Sequence, residues 1–392
     1  MDSNDKQIAK EMMESLLIQA CKQRASDLLL TVGAEPTFRI DGKIARLQHD
    51  KLRPEDTKRI FDYYVGLSEE LSLRFKERGD VDFNIPITNV GRFRVNAYKQ
   101  RGSYAFAARV IHPRPLTLQE LGMPDIFTSF ANRPNGLLII TGPTGCGKST
   151  TLASIVDYIN ETRDGHIITL EDPVEYLHFH KRCNVDQREI PSDAASFQNG
   201  LRAALREDPD VIMLGEMRDA ETTLTAIEAA ETGHLVLSTL HTASAPEAFS
   251  RIISVTPPEY REKICNQLSN VLIGVVAQQI FPKRHSSGRV VALEIMVGTH
   301  AIKSIIRENK PEQLQGQIET GERYGMVEMK KSIEDLVRND IIEKKYLEIF
   351  MDQNARMKQY EAQPPRSPLF TSSETEAQLS RNTSILNRWK RS

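Results

Sequence analysis

Gly142-Pro-Thr-Gly-Cys-Gly-Lys-Ser-Thr150 is the stretch of this 392-residue chain whose residue types and spacing define a chemistry. It fits Gly-x-x-x-x-Gly-Lys-Ser at every defined position, the pattern of a loop that cradles phosphates. The candidate nucleotide-binding set is therefore Gly142, Pro143, Thr144, Gly145, Cys146, Gly147, Lys148, Ser149 and Thr150. Glycines let the backbone wrap closely, so that successive N–H groups point at phosphate oxygens. Lys148 would reach the β- and γ-phosphates, and the Ser149 hydroxyl would ligate Mg²⁺. ATP and Mg²⁺ are thus the expected ligand and cofactor.

Three further stretches end in groups that phosphoryl transfer needs. Thr169-Leu-Glu-Asp-Pro-Val-Glu175 runs into a carboxylate cluster. Asp210-Val-Ile-Met-Leu-Gly-Glu216 places an acid after four apolar residues, and Asp219 follows closely. Thr232-Gly-His234-Leu-Val-Leu-Ser-Thr-Leu-His241 is an apolar run bracketed by histidines. A carboxylate near the γ-phosphate orients the attacking water, a part that Glu175 or Glu216 could take. A lone acid at a strand end is as readily a cap or a surface charge. Two of them after an intact phosphate loop point to catalysis, with Glu216 also a candidate metal ligand. His234 and His241 are candidates for sensing the γ-phosphate or are structural histidines. Arg92 and Arg94 share one face of a strand, and with Arg109 they form either a solvated basic face or arginine fingers that complete a neighbouring subunit's site.

Those residues need strand tips and a helix N-terminus to hold them. Leu137–Thr141 reads as a buried parallel strand, and the helix from about Lys148 to Asn160 aims its positive dipole end at the same anion. Strands at Leu137–Thr141, His166–Leu170, Val211–Leu214 and Leu235–Thr239, separated by helices such as Asp219–Thr232, indicate an α/β fold with a largely parallel sheet. Ahead of it lies a smaller α+β region. A helix at 6–24 packs Met12 and Met13 as core filler, and a strand starts at Ser26. A hairpin turns at Asp41-Gly42, and a helix runs from Pro54 toward Leu67. Strands follow at Val81–Ile87, Arg92–Tyr98 and Tyr104–Ile111. His112-Pro-Arg-Pro-Leu116 reads as a stiff linker. Residues 301–350 read as helical and 361–392 as a disordered tail. The expected boundaries are 1–112, a linker at 113–117, 118–360 and 361–392.

Composition bounds the rest. Apolar residues at 40% and charged residues at 27% suit a globular chain, and a net charge of −2 gives no reason to expect nucleic acid as a partner. The four cysteines, Cys21, Cys146, Cys183 and Cys265, are scattered, against a zinc site or a disulfide framework. No apolar run approaches the length of a membrane span, and Met-Asp-Ser-Asn-Asp-Lys is not a signal peptide, so a cytoplasmic protein that reaches a membrane only through partners is expected.

Together, Gly142–Thr150, Thr169–Glu175, Asp210–Asp219 and Thr232–Thr242 resemble the Walker A, Asp box, Walker B and His box of the secretion ATPases. Over residues 8–350 the chain resembles their type IV pilus retraction branch, the PilT family. The resemblance implies a PAS-like N-terminal domain, a RecA-like ATPase domain and a homo-hexameric ring. It matches Glu175 to the general base, Glu216 to the Walker B acid after Gly215, and Arg94 and Arg109 to arginines that complete the site. A family motif tied to retraction reads here Ala301-Ile-Lys-Ser-Ile-Ile-Arg-Glu308, departing at Lys303, Ser304 and Ile305. Cys146 stands where the family usually has Ser, and its thiol could make the loop oxidisable. The Arg388-Trp-Lys-Arg391 end could dock on a partner or an anionic surface. Extension ATPases usually carry an extra N-terminal domain and a four-cysteine zinc motif, neither of which is seen, so retraction is favoured.

The expected function is a hexameric motor that hydrolyses ATP to retract a type IV pilus, hinging its two domains about residues 112–117. Its partners would be the pilus inner-membrane platform protein and related pilus ATPases. The alternatives are an accessory ATPase like PilU with little turnover of its own, another secretion ATPase, or a nucleic-acid motor of the RecA type.

Overall fold

Two sheets carry the candidate residues. In the computed structural model, the described residues are 3–23, 25–40, 42–88, 90–111 and 114–352. Expectations for Asp41, for His112 and Pro113 of the linker, and for the 361–392 tail with its Arg388–Arg391 end lie outside these residues.

The chain divides into two compact units, Met1–Ser332 and Ile333–Ser392, and both sheets lie in the first. In order, the first sheet and its helices are α1 (Ser3–Lys22), β1 (Asp27–Leu30), β2 (Thr37–Ile40), β3 (Lys43–Arg46), α2 (Pro54–Tyr64), α3 (Glu69–Arg78), β4 (Asp80–Ile87), β5 (Gly91–Gln100) and β6 (Ser103–Ile111). The strands pair antiparallel in the order β3-β2-β1-β6-β5-β4. Along β5, Phe93, Val95 and Ala97 are buried against Met13 and Leu17 of α1 and Ile60 and Phe61 of α2, while Arg92 and Arg94 lie on the other face. The helix expected to reach Leu67 stops at Tyr64. A Cβ on Gly66 would lie 2.7 Å from Asp62 O, and Ser68 Oγ accepts from Leu71 N–H to start α3 as a second helix.

The second sheet is built by α4 (Ile126–Ala131), β7 (Gly136–Thr141), α5 (Lys148–Thr162), β8 (Gly165–Glu171), β9 (Cys183–Glu189), α6 (Phe197–Ala204), β10 (Val211–Leu214), α7 (Ala220–Glu231), β11 (Leu235–Thr239), α8 (Ala245–Val255), α9 (Arg261–Val271), β12 (Leu272–Pro282) and β13 (Arg289–Val297). Its order is β13-β12-β7-β11-β10-β8-β9, parallel throughout except for β13. β7 is buried at every position because helices cover both faces. Its side chains alternate: Leu137 and Ile139 pack with Leu214, Phe249 and Ile302, whereas Leu138 and Ile140 pack with Phe127, Leu152 and Ile155. Each such fully buried side chain contributes roughly 1.5–3 kcal/mol relative to exposure.

Helix is interrupted after β13. Among the described residues it forms only at α10 (His300–Arg307), α11 (Leu314–Thr320), α12 (Met329–Arg338) and 345–352. Tight turns at Pro311–Gln313 and Glu322–Tyr324 break it, the second closing on Gly325 with φ 82°. In α10, Ile302, Ile305 and Ile306 point inward, and Arg307 and Glu308 are exposed.

Candidate active site

β7 delivers the phosphate loop. The strand ends at Thr141, and Gly147, with φ 92°, caps α5 at Lys148. Gly142 has φ 143°, and a Cβ there would lie 2.4 Å from Gln278 O and 2.7 Å from Cys146 Sγ, so only glycine fits. The loop is stapled to its neighbours on both sides. Thr141 Oγ1 accepts from Thr242 N–H at 2.9 Å. Gln278 Nε2, on β12, donates to Cys146 O at 2.7 Å.

A chain of polar contacts crosses from this loop to the tip of β10. Lys148 Nζ donates to Gly142 O at 2.8 Å and Pro143 O at 3.2 Å and lies 3.4 Å from His241 Nδ1. His241 Nε2 is 3.3 Å from a Glu216 carboxylate oxygen, and the other oxygen of Glu216 pairs with Arg218. Burial pushes the Lys148 ammonium below the usual lysine range, against the pull of Cys146, Glu216 and Glu175. Glu216 is aimed by its backbone. Gly215 N–H donates to Leu170 O at 2.8 Å, and Gly215 O accepts from Thr239 Oγ1 at 2.6 Å. A Cβ at Gly215 would come within 3.2 Å of Leu170 O, which explains a residue without a side chain just before the acid.

The Glu175 loop hangs from β8 and β9. Glu171, at the end of β8, is buried and accepts at one oxygen from Thr169 Oγ1 (2.7 Å) and Gln187 Nε2 (3.0 Å). Burial pushes its carboxyl above the usual range despite those bonds. Gln187 Nε2 also donates to Tyr176 O at 2.9 Å, and the Tyr176 hydroxyl meets Thr150 Oγ1 at 2.8 Å. Between these anchors Glu175 is exposed to the cavity.

That cavity, of about 830 Å³, brings together Lys148, Ser149, Thr150, Glu175, Glu216 and His241 with Arg94 and Arg109 from β5 and β6. The two arginines stand directly opposite each other in the β5–β6 ladder. Asp82 (3.5 Å) partners Arg94, and Asp27 (3.3 Å) partners Arg109. Like charges directly opposite cost stability, and each guanidinium is offset here by its own carboxylate.

The geometry places the remaining candidate residues. His234 precedes β11 at the opposite end of the sheet, where Leu235 pairs with Gly136, and its Nδ1 lies 2.9 Å from Ala229 O. It takes no part in the cavity of this chain. Arg92 leaves its neighbour and reaches Glu189 at 3.9 Å. Arg94 and Arg109 line the cavity of their own chain. The Cys146 thiol is 2% exposed and burial pushes its pKa up, which removes the basis for an oxidisable loop. Asp219 is an N-cap, accepting from Thr222 N–H at 2.8 Å. Sequence reasoning overlooked Gln187, Gln278 and Arg289 (which also lines the cavity), because β9, β12 and β13 were not read as strands. Glu171 lay inside the quoted carboxylate cluster and was legible there.

Among the described residues, no group of three or more His, Cys, Asp or Glu side chains is placed to hold a metal by itself. Mg²⁺ takes most of its ligands from phosphate and water, so Ser149 and Glu216 in one cavity fit it as the protein's share. Among the same residues, no helix is long and apolar enough to cross a membrane.

A parallel strand opening through a glycine loop into a helix, facing an acid from an adjacent strand tip, defines a P-loop nucleotide-binding protein of the α/β class. Residues 2–363 match the family model described as Type II/IV secretion system protein, and the chain belongs to that family, on its PilT branch of pilus retraction ATPases. It is 42% identical over 327 residues to the type IV pilus retraction ATPase PilT of Pseudomonas aeruginosa, covering 83% of this chain and 94% of that one. The type IV pilus ATPase PilU of the same organism is 38% identical over 314 residues, covering 80% and 81%. The crystal structure of the pilus retraction motor PilT with bound ADP superposes with a TM-score of 0.78 at 43% identity, covering 86% of this chain and 95% of that one.

Proposed function

We propose that this chain is the subunit of a homo-hexameric motor that hydrolyses ATP to drive retraction of a type IV pilus. The observation that carries the reading is the Lys148–His241–Glu216 chain, set in one cavity with Glu175, Arg94 and Arg109. The phosphate loop and Lys148 hold the triphosphate. Glu175 accepts a proton from water as its oxygen attacks the γ-phosphorus, and the bond to the ADP oxygen breaks to leave ADP and inorganic phosphate. Ser149 and Glu216 would hold Mg²⁺, which would supply charge neutralisation at the phosphates. Arg94 and Arg109 cover the charge on the transferred group from the other side of the cavity. His241 lies between the lysine and the acid and communicates which phosphate is present.

Closure of the first sheet's domain on the ATPase domain about residues 112–117 would turn each turnover into movement. The work would be done at the cytoplasmic face of the inner membrane on the pilus platform protein, alongside related pilus ATPases. The similarity to a solved PilT holding ADP supports the nucleotide assignment.

The test is phosphate release by the purified protein beside Glu216→Ala and Lys148→Ala. Wild-type turnover that collapses in both variants is expected. A wild type no faster than its variants would instead make the chain an accessory subunit of the PilU kind, to which it is also similar. Deleting the gene and watching whether pili still shorten tests the second half of the reading.

A further inference from the structure

Gln278 is fully buried on β12, the strand beside β7, and touches the phosphate loop along its length. Its backbone O limits Gly142, where a Cβ would lie 2.4 Å away, and its Nε2 would lie 3.4 Å from a Cβ on Gly147. Nε2 donates to Cys146 O at 2.7 Å, and Oε1 accepts from Thr151 Oγ1 in the first turn of α5 at 3.0 Å. The bond to Cys146 O has a geometric consequence. A trans peptide is planar, with C=O and N–H pointing in opposite directions. Holding the Cys146 carbonyl toward β12 therefore turns the Gly147 N–H away from β12. Gly147 lines the cavity.

We propose that Gln278 is a positioning residue of the phosphate loop: by gripping the Cys146 carbonyl it aims the Gly147 N–H at the bound phosphates. The proposal rests on the nucleotide-binding reading of that loop. The Thr151 bond, by contrast, orients the glutamine amide and carries no cradle group. Gln278 acts through the loop and touches no phosphate itself, so its removal reads as loosened nucleotide, while the strands around it keep their packing.

The experiment compares Gln278→Met, which keeps the volume and removes the donor, with Thr151→Val, which removes only the second bond. ADP and a non-hydrolysable ATP analogue are titrated into each, with thermal midpoints as the control. In the nucleotide-free protein, the labelling rate of Cys146 by a thiol reagent is read by peptide mass. Gln278→Met should weaken nucleotide binding about tenfold or more, since a buried carbonyl loses its partner, and should speed Cys146 labelling. Thr151→Val should stay within about twofold on both readouts. Equal losses in the two variants, or a lowered midpoint with unchanged affinity and labelling, would overturn the proposal.

If Gln278→Met does not fold, Gln278→Glu replaces it. Its protonated form can donate to Cys146 O and its ionised form cannot, so its nucleotide affinity must fall with rising pH more steeply than that of the wild type. Parallel pH profiles would count against the clamp. A wild type that binds no ADP would sink the nucleotide reading itself, whereas a wild type that binds beside an unaffected Gln278→Met sinks only this proposal.

Discussion

His241 places one ring nitrogen 3.3 Å from the Glu216 carboxylate and the other 3.4 Å from the Lys148 ammonium, so the acid and the phosphate-binding lysine share a single intermediary. Groups that act as a unit lose activity together. We expect His241→Ala and Glu216→Ala each to lower the rate of phosphate release by about 10²-fold or more, the scale of one lost electrostatic or proton-handling group. The double variant should be little worse than the poorer single. Turnover measured at saturating ATP checks this. Losses that multiply in the double variant would mean that the two side chains work separately.

Lys148 makes a prediction about protons. Burial lowers its pKa in the empty protein, so the charged form is disfavoured there, and charging it costs native stability at every pH below that lowered value. Phosphate oxygens favour the ammonium and raise the pKa again. Nucleotide binding should therefore take up protons once the pH approaches the lowered value, and affinity should fall as the pH rises through it. Calorimetric titration of ADP in two buffers of different ionisation enthalpy reads the uptake directly. Release of protons, or none in the alkaline range, would contradict the assignment.

Gly142→Ala tests how tightly the loop is boxed. The new methyl would meet Gln278 O at 2.4 Å from a backbone with φ 143°, so loop or strand must shift. Strain of roughly 1–3 kcal/mol is expected, with nucleotide affinity reduced at least as much as the thermal midpoint suggests. Gly145→Ala is the control: its φ is 80°, and a Cβ there meets nothing within 4 Å, so its cost is backbone strain alone.

How much of this was legible beforehand follows from which interactions are local. The phosphate loop, β7 and α5 are contiguous, and their residues announce turn, strand and helix in sequence. Glu216 and His241 were legible because each ends a short apolar run. His234 brackets the same run from its other side, yet which end of β11 faces the ligand depends on its parallel register with β7, a long-range fact. Gln187 and Gln278 show the same limit. Each matters because of hydrogen bonds to another segment, 11 and 16 residues away for Gln187 and 132 residues away for Gln278 and Cys146. The break after Tyr64 was local but went unread, although Gly66 and Ser68 carried the signal.

Glu171 makes the second prediction about pH. Burial raises its carboxyl pKa above the ordinary value of 4.5, so the native state binds this proton more tightly than the unfolded chain does. Its contribution to stability is complete below pH 4.5 and is lost as the pH rises through the raised native value. Each tenfold gain in native proton affinity corresponds to about 1.4 kcal/mol. Glu171→Gln keeps an oxygen to accept from Thr169 and Gln187 and removes the buried charge. The variant should match the wild type in thermal midpoint below pH 4.5 and exceed it increasingly as the pH rises above that value. A variant less stable at the higher pH would refute this.

Arg94 and Arg109 carry the last prediction, because their partners compete with phosphate for them. Asp27 accepts from Arg109 at 3.3 Å and also lies 3.7 Å from Arg39, while Asp82 lies 3.5 Å from Arg94. The two guanidiniums are directly opposite in the ladder, so removing either relieves a repulsion of roughly 0.2–1 kcal/mol in the nucleotide-free protein. Arg94→Ala and Arg109→Ala should therefore leave the thermal midpoint unchanged or slightly raised while cutting turnover by about tenfold or more, as the loss of a transition-state cation does. Asp27→Asn should act in the opposite sense. With its ion pair gone, Arg109 is free to meet the phosphates, and ADP affinity at low salt should rise a few-fold and lose that gain as ionic strength screens the charge. If Asp27→Asn weakened ADP binding, Asp27 would be holding Arg109 in position for the nucleotide instead of competing with it.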